Sequence, residues 1–410
     1  MRSSFLTGLS VTAASVLILS GCTGQGNYTR EGVSLANERM SFLKSATEWE
    51  MGRQAFLAGD LEKGLEKVNN SLEINPGVVK SHVLRGRIMI EMGELGTAMK
   101  ALHTAEGLNP EDSDAQYYLG IVFERLNRPE DAYVHFAAAC ELDDYNPAFA
   151  VAASEMLIDL DRIEEAKAYL SSLPMAENNA GIRQTLGHIA MIEQDAASAV
   201  GYFKDARLLA PDDSGIVEDL VHAQMQAGQY GHAERNISSL LKKTENADRR
   251  DLKILHAKAL MGTDRPVEAR SIYQELLSVD DGQGDLESWI GLANASYVID
   301  DMRTMRRAAS RVVALSPGSP EGYTLWAMTH RKNGNHLDAL ASINNAITRS
   351  PGDASMYAFR AMIEHDLNRT GDALASAAKA ASMDPTNRKY QSMLNQFNAD
   401  RFATVPTTTE

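Results

Sequence analysis

Proline recurs along this chain at intervals of 34 residues, and this interval restricts the possible folds more than any other feature of the sequence. Six of the chain's twelve prolines share one phase of the interval: Pro76, Pro110, Pro211, Pro317, Pro351 and Pro385. A fixed period of roughly 20–50 residues is the signature of proteins in which one small structural unit is stacked many times. The period therefore predicts a repeat protein.

About ten repeats fit between residues 45 and 387, with starts near positions 45, 79, 113, 147, 180, 214, 250, 286, 320 and 354. In nine of the ten, the eighth residue is Gly, Ala or Ser, and in nine the twentieth is Gly or Ala. Antiparallel helices packed about 8–10 Å apart need small side chains where their axes cross. Large side chains recur at the twenty-fourth position: Val68, Leu102, Phe136, Leu170, Phe203, Ile237, Tyr273 and Ile343. Each repeat is therefore predicted to be a pair of closely packed helices.

Glycine-containing turns separate the two predicted helices of several repeats, at Gly59, Gly93, Gly228 and Gly334. This pattern resembles the tetratricopeptide repeat, a helix–turn–helix of 34 residues. The third repeat carries the resemblance best, in Leu119, Gly120, Phe123, Ala132, Phe136 and Ala139. The resemblance implies an all-α fold, a right-handed α-solenoid of about ten tetratricopeptide helix-turn-helix repeats whose first helices line a concave groove.

The first 21 residues are typical of a bacterial secretion signal. Arg2 supplies a positive charge, and residues 5–19 are uncharged but too short and too interrupted by polar residues to span a bilayer stably. The segment ends in Leu19-Ser20-Gly21-Cys22, which resembles the bacterial lipobox. The resemblance implies that Cys22 carries acyl chains that anchor the protein in a membrane. The alternative is an ordinary signal peptide in which this cysteine is incidental.

Thr23 stands where lipoproteins of the inner membrane often have Asp, so the resemblance implies an outer-membrane lipoprotein that faces the periplasm. Outside the repeats, the sequence predicts a lipidated cysteine, polar tether and leading helix over 22–44 (tether 23–34, helix 35–44), a capping helix over 388–401 and a disordered tail over 402–410.

The composition and motifs argue against several classes of function. The formal net charge is −15, and an acidic surface repels the phosphates of nucleic acids, so membrane contact is expected through the lipid anchor alone. The ten histidines are scattered, without a His-Glu-x-x-His or Cys-x-x-Cys pair. Cys140 is interpreted as a small buried residue, and residues 280–285 lack the alternating acids of a calcium loop. The sequence therefore predicts no enzymatic activity, no cofactor and no metal.

The ninth position of each repeat is predicted to point into the groove, and neighbouring repeats there pair Arg53 with Arg87 and His188 with His222. Arginine pairs with carboxylates and methionine adapts to irregular apolar surfaces, so such a groove suits an extended peptide or a partner helix. The predicted partner-binding residues are Arg53, Arg87, Tyr117, His188, Met191, His222, Met225, Lys258, Asn294 and Tyr297.

Outer-membrane lipoproteins made of tetratricopeptide repeats include the pilotins of type IV pili and the lipoprotein of Flp pilus assembly. This chain resembles that group because a lipobox leads directly into repeats. The resemblance implies a protein-binding scaffold whose partners are a secretin or pilus or secretion subunits. A scaffold for exopolysaccharide export, which would bind a porin, is the alternative. Direct carbohydrate binding is disfavoured because the predicted groove holds no aromatic ladder, only Trp49, Phe56, Tyr117 and Tyr297.

Overall fold

The computed structural model describes residues 27–403. Within that range the chain forms twenty-one α-helices and two short 3-10 helices and no β-strand, so the predicted all-α fold class is confirmed. None of the helices in this range has the combination of length and apolarity that crossing a membrane requires. The predicted signal peptide (1–21), the acylation site Cys22, residues 23–26 of the predicted tether and residues 404–410 of the predicted tail lie outside the described residues.

The chain divides into two compact units, Met1–Met175 and Ala176–Glu410. In the described part of the first unit, each helix packs against the next along the chain. Its helices are α1 (Asn27–Leu57), α2 (Leu61–Ile74), α3 (Val79–Glu91), α4 (Leu95–Leu108), α5 (Ser113–Arg125), α6 (Pro129–Leu142), α7 (Pro147–Asp159) and α8 (Ile163–Ser172).

The second unit follows the same order of packing in its described part. Short 3-10 helices precede α13 and α15, at Thr244–Asn246 and Asp280–Gly284. The α-helices are α9 (Ala180–Ile192), α10 (Ala196–Leu209), α11 (Ser214–Gln226), α12 (Tyr230–Leu241), α13 (Arg250–Gly262), α14 (Pro266–Ser278), α15 (Leu286–Val298), α16 (Met302–Leu315), α17 (Glu321–Lys332), α18 (His336–Arg349), α19 (Ala354–Asp366), α20 (Thr370–Met383) and α21 (Arg388–Ala403).

The odd-numbered helices from α3 to α19 are the first helices of successive repeats. Each begins at the residue that the 34-residue period gives, except that α17 begins one residue later, at Glu321. Asparagine or aspartate side chains cap several of them by accepting hydrogen bonds from free backbone N–H groups in the first turn. The capping residues include Asp112, Asn146, Asn179, Asp213, Asp285 and Asp353.

The first helix starts earlier than the sequence predicts. α1 begins at Asn27, so residues 27–34 are helical and do not form a tether. This stretch contains no proline and one glycine, Gly32, and a single glycine costs a helix only about 1 kcal/mol. From Ser41 onward the helix contacts α2, because the Ser41 hydroxyl donates to the Ile74 carbonyl at 3.4 Å and the Ser45 hydroxyl lies 3.0 Å from that of Ser71.

The last helix corresponds to the predicted cap but is longer. α21 continues to Ala403 and so includes two residues that the sequence predicts to lie in the tail. Nothing in the sequence stops the helix sooner, since the next proline is Pro406. Phe397 of this helix is buried against Ala361 and Ala373, so α21 covers the apolar face of the last helix pair.

The two helices of a repeat meet where a glycine faces a large side chain sixteen residues later. An ideal Cβ on Gly120 would lie 2.5 Å from the ring of Phe136, and one on Gly187 would lie 2.6 Å from that of Phe203. Gly86 has the same relation to Leu102, at 2.6 Å. In these three repeats the eighth and twenty-fourth positions are therefore in direct contact, and the absence of a Cβ makes room for the larger residue.

Candidate functional site

A cavity of about 720 Å³ opens between α13 and α15 in the second unit, and we call it the α13–α15 cavity. Lys258 and Met261 of α13 line one side, and Leu286, Ile290 and Asn294 of α15 line the other. Lys258 and Asn294 both occupy the ninth position of their repeats. The structure therefore brings these two predicted groove residues together at one cavity.

The interior of this cavity is mainly apolar, and an ion pair lies at its edge. Met261, Leu286 and Ile290 pack against the buried core of repeats seven and eight. Nζ of Lys258 lies 2.6 Å from Oε1 of Glu287, and both side chains are about half exposed. An apolar side chain of a ligand fits the interior. A charged group next to that side chain can pair with Lys258 or Glu287, because the existing ion pair between them is exposed and weak.

Tyr273 of α14 forms the wall where the cavity meets the core. Its side chain is 2% exposed, and its ring lies so near Gly291 that an ideal Cβ there would be 2.2 Å from Cζ. Burial, together with the negative charges of Glu287 and Asp285, raises the pKa of Tyr273 to about 12. The phenol is therefore neutral at physiological pH.

Asp285 caps α15 at the mouth of the cavity. It accepts hydrogen bonds from the backbone N–H groups of Glu287 (3.1 Å) and Ser288 (3.3 Å). Nη2 of Arg250 also donates to its carboxylate, at 2.6 Å. Burial raises the pKa of Asp285, but hydrogen bonds from Ser288 and Arg250 outweigh that effect and leave the pKa below its ordinary value.

Replacing Asp285 by asparagine should lower the free energy of unfolding by about 1 kcal/mol at pH 7, because the amide keeps the helix cap but loses the charge that faces Arg250. A carboxylate with a depressed pKa stabilises the fold above its unfolded pKa and loses that effect as pH falls through its folded pKa. The difference between the two proteins in urea unfolding should therefore shrink as the pH is lowered below 4. A difference that stays constant down to pH 2.5 would contradict the assigned ion pair.

In the first unit, Arg53 and Arg87 line one cavity of about 270 Å³, as their positions in neighbouring repeats predict. Each guanidinium already has a partner within the chain. Nη2 of Arg53 lies 2.7 Å from Oε1 of Glu50. The guanidinium carbon of Arg87 lies 5.0 Å from the ring centre of Phe56 and 4.8 Å from that of Tyr118. The internal partners therefore fix the orientation of both guanidinium groups, which still line the cavity where a ligand could contact them.

Tyr117 belongs to an aromatic cluster and does not line the cavity that holds the two arginines. Its ring centre lies 4.8 Å from that of Phe149 and 5.4 Å from that of Phe136, and Tyr118 is 5.3 Å away. Burial raises the pKa of the Tyr117 hydroxyl, helped by the charges of nearby glutamates. The side chain is partly exposed, so it packs repeat three against repeat four and shows one edge to solvent.

His188 and His222 lie on successive first helices, with Asp219 beside them. Nε2 of His188 is 3.2 Å from Oδ2 of Asp219, and Nε2 of Gln184 donates to the same oxygen at 2.7 Å. Burial raises the pKa of Asp219, but hydrogen bonds from His188 and Gln184 outweigh that effect and leave the pKa below its ordinary value. The carboxylate is therefore charged at neutral pH. His222 is exposed. This cluster is polar and open, and it joins α9 to α11.

The methionines at the twelfth position do not share one environment. Met191 packs against the core around Phe203, and Met225 packs against the core around Ile237, so both fill space between repeats. Met261 also borders the α13–α15 cavity. The twelfth-position methionines are therefore mainly packing residues.

Tyr297 lies apart from the α13–α15 cavity. It borders a second cavity of about 390 Å³ in the same unit, together with Arg331, Lys332 and Asp366. Nζ of Lys332 lies 4.5 Å from its ring centre and donates to its backbone carbonyl at 2.8 Å. The Tyr297 ring thus holds the Lys332 ammonium at the edge of that cavity through a cation–π interaction.

The sequence prediction missed the acidic side of these sites, Glu287 and Asp219, and the apolar wall formed by Ile290. A signal was available for the α15 residues, because Glu287, Ile290 and Asn294 are spaced by three and four and so share one helix face. Among the side chains of residues 30–279 and 282–399, no group of three or more His, Cys, Asp or Glu is arranged to hold a metal ion.

Comparison with known proteins identifies tetratricopeptide repeats in two parts of the chain. The family model described as tetratricopeptide repeat matches residues 83–147 and 324–388. Among curated proteins, the chain is 23% identical over 228 residues to BBSome complex member BBS4 of Bos taurus, covering 53% of this chain and 42% of that protein. It is 30% identical over 142 residues to Protein FlbA of Caulobacter vibrioides, covering 33% of this chain and 23% of that protein. The chain thus spans less than half of either relative.

Solved structures with a similar fold include Pseudomonas aeruginosa PilF, at 19% identity and a TM-score of 0.41, covering 51% of this chain and 94% of that one. PilW, described as a type IV pilus biogenesis factor, is 16% identical with a TM-score of 0.44, covering 51% and 96%. A tetratricopeptide repeat protein from Parabacteroides merdae is 16% identical with a TM-score of 0.44, covering 70% and 98%.

Proposed function

We propose that this chain, which carries tetratricopeptide repeats, is a membrane-anchored scaffold that binds other proteins and assists the assembly of a pilus or secretion system at the outer membrane. Tetratricopeptide repeats are a protein-interaction fold, so the proposed role is binding and not catalysis. The lipobox-like sequence that ends at Cys22, with Thr23 after it, supports anchoring in the outer membrane with the repeats in the periplasm.

The α13–α15 cavity is the observation that carries the binding proposal. Its size suits one or two side chains of a peptide, and its apolar interior beside an exposed ion pair is the usual chemistry of a protein-binding groove. Two successive first helices form it, so a segment lying along these helices would place one apolar anchor between Met261 and Ile290. The Lys258–Glu287 pair at the edge would then select the polar neighbours of that anchor.

Site-specific photocrosslinking tests the proposal. A photoreactive p-benzoylphenylalanine is introduced in place of Asn294, which is exposed at the cavity, and in a second strain in place of Ser310, which is exposed on α16 of the same repeat. Crosslinking is carried out in the native membranes of the source bacterium, and the products are identified by mass spectrometry. A secretin or pilus subunit crosslinked at 294 and not at 310 supports the proposal. A polymer porin crosslinked at 294 would overturn it in favour of exopolysaccharide export.

Filling the cavity should block the same interaction. Replacing Asn294 by tryptophan places a large ring at the mouth of the α13–α15 cavity, and partner capture from those membranes should fall by about tenfold. The melting temperature should stay within about 2 °C of the parent, since Asn294 is exposed and no buried contact is lost. The matched control is Ser310→Trp, which should leave capture unchanged. Equal capture by both variants would remove this cavity from the binding site.

A further inference from the structure

The end of the second unit carries a positively charged surface on a chain whose formal charge is −15. Two cavities, of about 530 and 390 Å³, share Arg331 and Asp366 and so form one continuous surface. We call it the cationic surface. The charged residues and histidines that line it are Arg331, Lys332, His336, His365, Asp366, Arg388 and Lys389.

The single carboxylate of the cationic surface is already neutralised. Nε of Arg331 donates to Oδ2 of Asp366 at 2.6 Å, and His336 lies 3.7 Å from the same oxygen. Lys332 pairs at 3.1 Å with Asp300, whose side chain is 73% exposed, so that pair lies at the rim and is weak. The four Lys and Arg side chains therefore leave a net positive charge at the cavities.

Arg388 and Lys389 contribute most of the unmatched charge. Both side chains are exposed, and among the side chains that the structure describes neither the Arg388 guanidinium nor the Lys389 ammonium has an ion-pair or hydrogen-bond partner. They also occupy the first turn of α21, where the partial positive charge of the helix end disfavours cations. Several other helices carry acids in the first turn, such as Glu130 and Asp131 in α6. Two unpaired cations at this position thus raise the energy of the free protein, and an anionic ligand would lower it.

The floor between these cations is apolar. Met362 of α19 and both Met393 and Phe397 of α21 line the same cavity as Arg388. The ring of His365 stacks on that of Phe397, with centres 4.8 Å apart and planes 7° from parallel. Flexible methionines accept apolar side chains of varied shape. A small inorganic anion would leave this floor uncovered, whereas a peptide would cover it.

We infer that the cationic surface binds an acidic segment of a partner protein, in which Asp or Glu side chains alternate with apolar residues. The carboxylates pair with Arg388, Lys389 and Lys332, and the apolar residues lie on Met362 and Met393. This inference rests on the proposed protein-binding function but concerns a second site, apart from the α13–α15 cavity, and it does not depend on acylation of Cys22.

The test measures binding of a defined probe to the full-length chain in detergent. The probe is a fluorescent peptide in which Glu and Leu alternate, blocked at both ends, and its neutral counterpart has Gln for every Glu. The double variant Arg388→Glu with Lys389→Glu should bind the acidic probe at least about tenfold more weakly. The matched control is Arg303→Glu with Arg306→Glu, which reverses two exposed charges on α16 outside both cavities and should change affinity by less than about twofold.

Folding and the proposed function are separated by two further measurements. Acidic residues suit the first turn of a helix, so the double variant should melt at the same temperature as the parent or higher, and weaker binding cannot then be attributed to unfolding. Asn294→Trp should leave the probe affinity unchanged, so that failure at the α13–α15 cavity and failure here are distinguishable. Equal loss in the α16 control, or equal binding of the neutral probe, would overturn the inference.

Other occupants of the surface give different results. Displacement of the probe by inorganic phosphate at constant ionic strength would show that a phosphate is the ligand. A Gln peptide with a free C-terminal carboxylate that binds as well as the acidic probe would show recognition of a chain terminus. Self-association of the protein that the double variant abolishes would assign the surface to a second copy. Each of these outcomes would overturn binding of an internal acidic segment.

Discussion

Replacing Gly120 by leucine is expected to lower the free energy of unfolding by about 3 kcal/mol, at the upper end of overpacking costs. An ideal Cβ at this position would lie 2.5 Å from Cδ1 and Cε1 of Phe136, and leucine adds three further carbons. Phe136 is 1% exposed and packs against Ala132 and Ala153, so its ring has no free space to enter. The two helices of repeat three must therefore separate.

Chemical denaturation measures the loss, and Gly107→Leu is the matched control. Gly107 is also helical and lies in the same unit, but nothing comes within 4 Å of an ideal Cβ there. Leucine should be neutral or slightly stabilising at that site, because it favours helix over glycine by up to about 1 kcal/mol. Amide hydrogen exchange should speed up first in α5 and α6, since repeats depend on their nearest neighbours. Equal destabilisation by both substitutions would contradict the assigned contact between the eighth and twenty-fourth positions.

The fold could be predicted from the sequence because close helix packing requires small residues at the same position of each repeat. Gly86, Gly120 and Gly187 recur at the eighth position because a Cβ at each of them would clash with the large side chain that faces it. The period of these contacts is the period of the helix pairs, so counting glycines and alanines also locates the helix starts. The pattern is easy to detect in a stacked-repeat protein, because the same helix-pair contact recurs in each of the ten repeats.

The turns were harder to recognise, although the structure uses one turn throughout. The fifteenth residue of every repeat has a positive φ, between 55° and 79°. Glycine occupies it in four repeats, and those are the turns that sequence inspection finds. Asparagine and aspartate adopt this conformation at modest cost because their short polar side chains bond locally, so they replace glycine without an obvious signal. The non-glycine residues are Asn127, Asp161, Gln194, Asp264, Asp300 and Asn368.

The binding residues were only partly predictable, because the position of a residue in a repeat does not determine whether its side chain meets solvent or a neighbouring repeat. Met191 and Met261 share the twelfth position and both pack against buried core residues, yet Met261 also lines the α13–α15 cavity. The difference depends on which side chains of the adjacent repeat face the methionine. The unpaired cations Arg388 and Lys389 lie outside the ten repeats altogether, on the cap, where the repeat pattern gives no expectation.

Replacing Tyr273 by alanine is expected to cost about 4 kcal/mol, the typical loss for truncating a buried aromatic residue. Tyr273 is 2% exposed, and it joins repeat seven to repeat eight through its contact with Gly291. Its removal leaves a void beside the α13–α15 cavity, so binding at Asn294 should weaken as well. Hydrogen exchange should rise in α14 and α15 of the second unit, whereas Gly120→Leu acts on the first.

Tyr273→Phe separates the packing of the ring from the chemistry of its hydroxyl, and should cost less than about 1 kcal/mol at pH 7. Burial keeps the phenol neutral until its pKa of about 12, whereas an exposed tyrosine in the unfolded chain ionises near 10. A group with a raised pKa stabilises the fold fully below its unfolded pKa and loses that contribution as pH rises through its folded pKa. The parent should therefore lose more stability than Tyr273→Phe between pH 10 and 12 in urea unfolding. Parallel pH curves would mean that the phenol is solvated, and that the wall of the cavity is more open than its contact with Gly291 indicates.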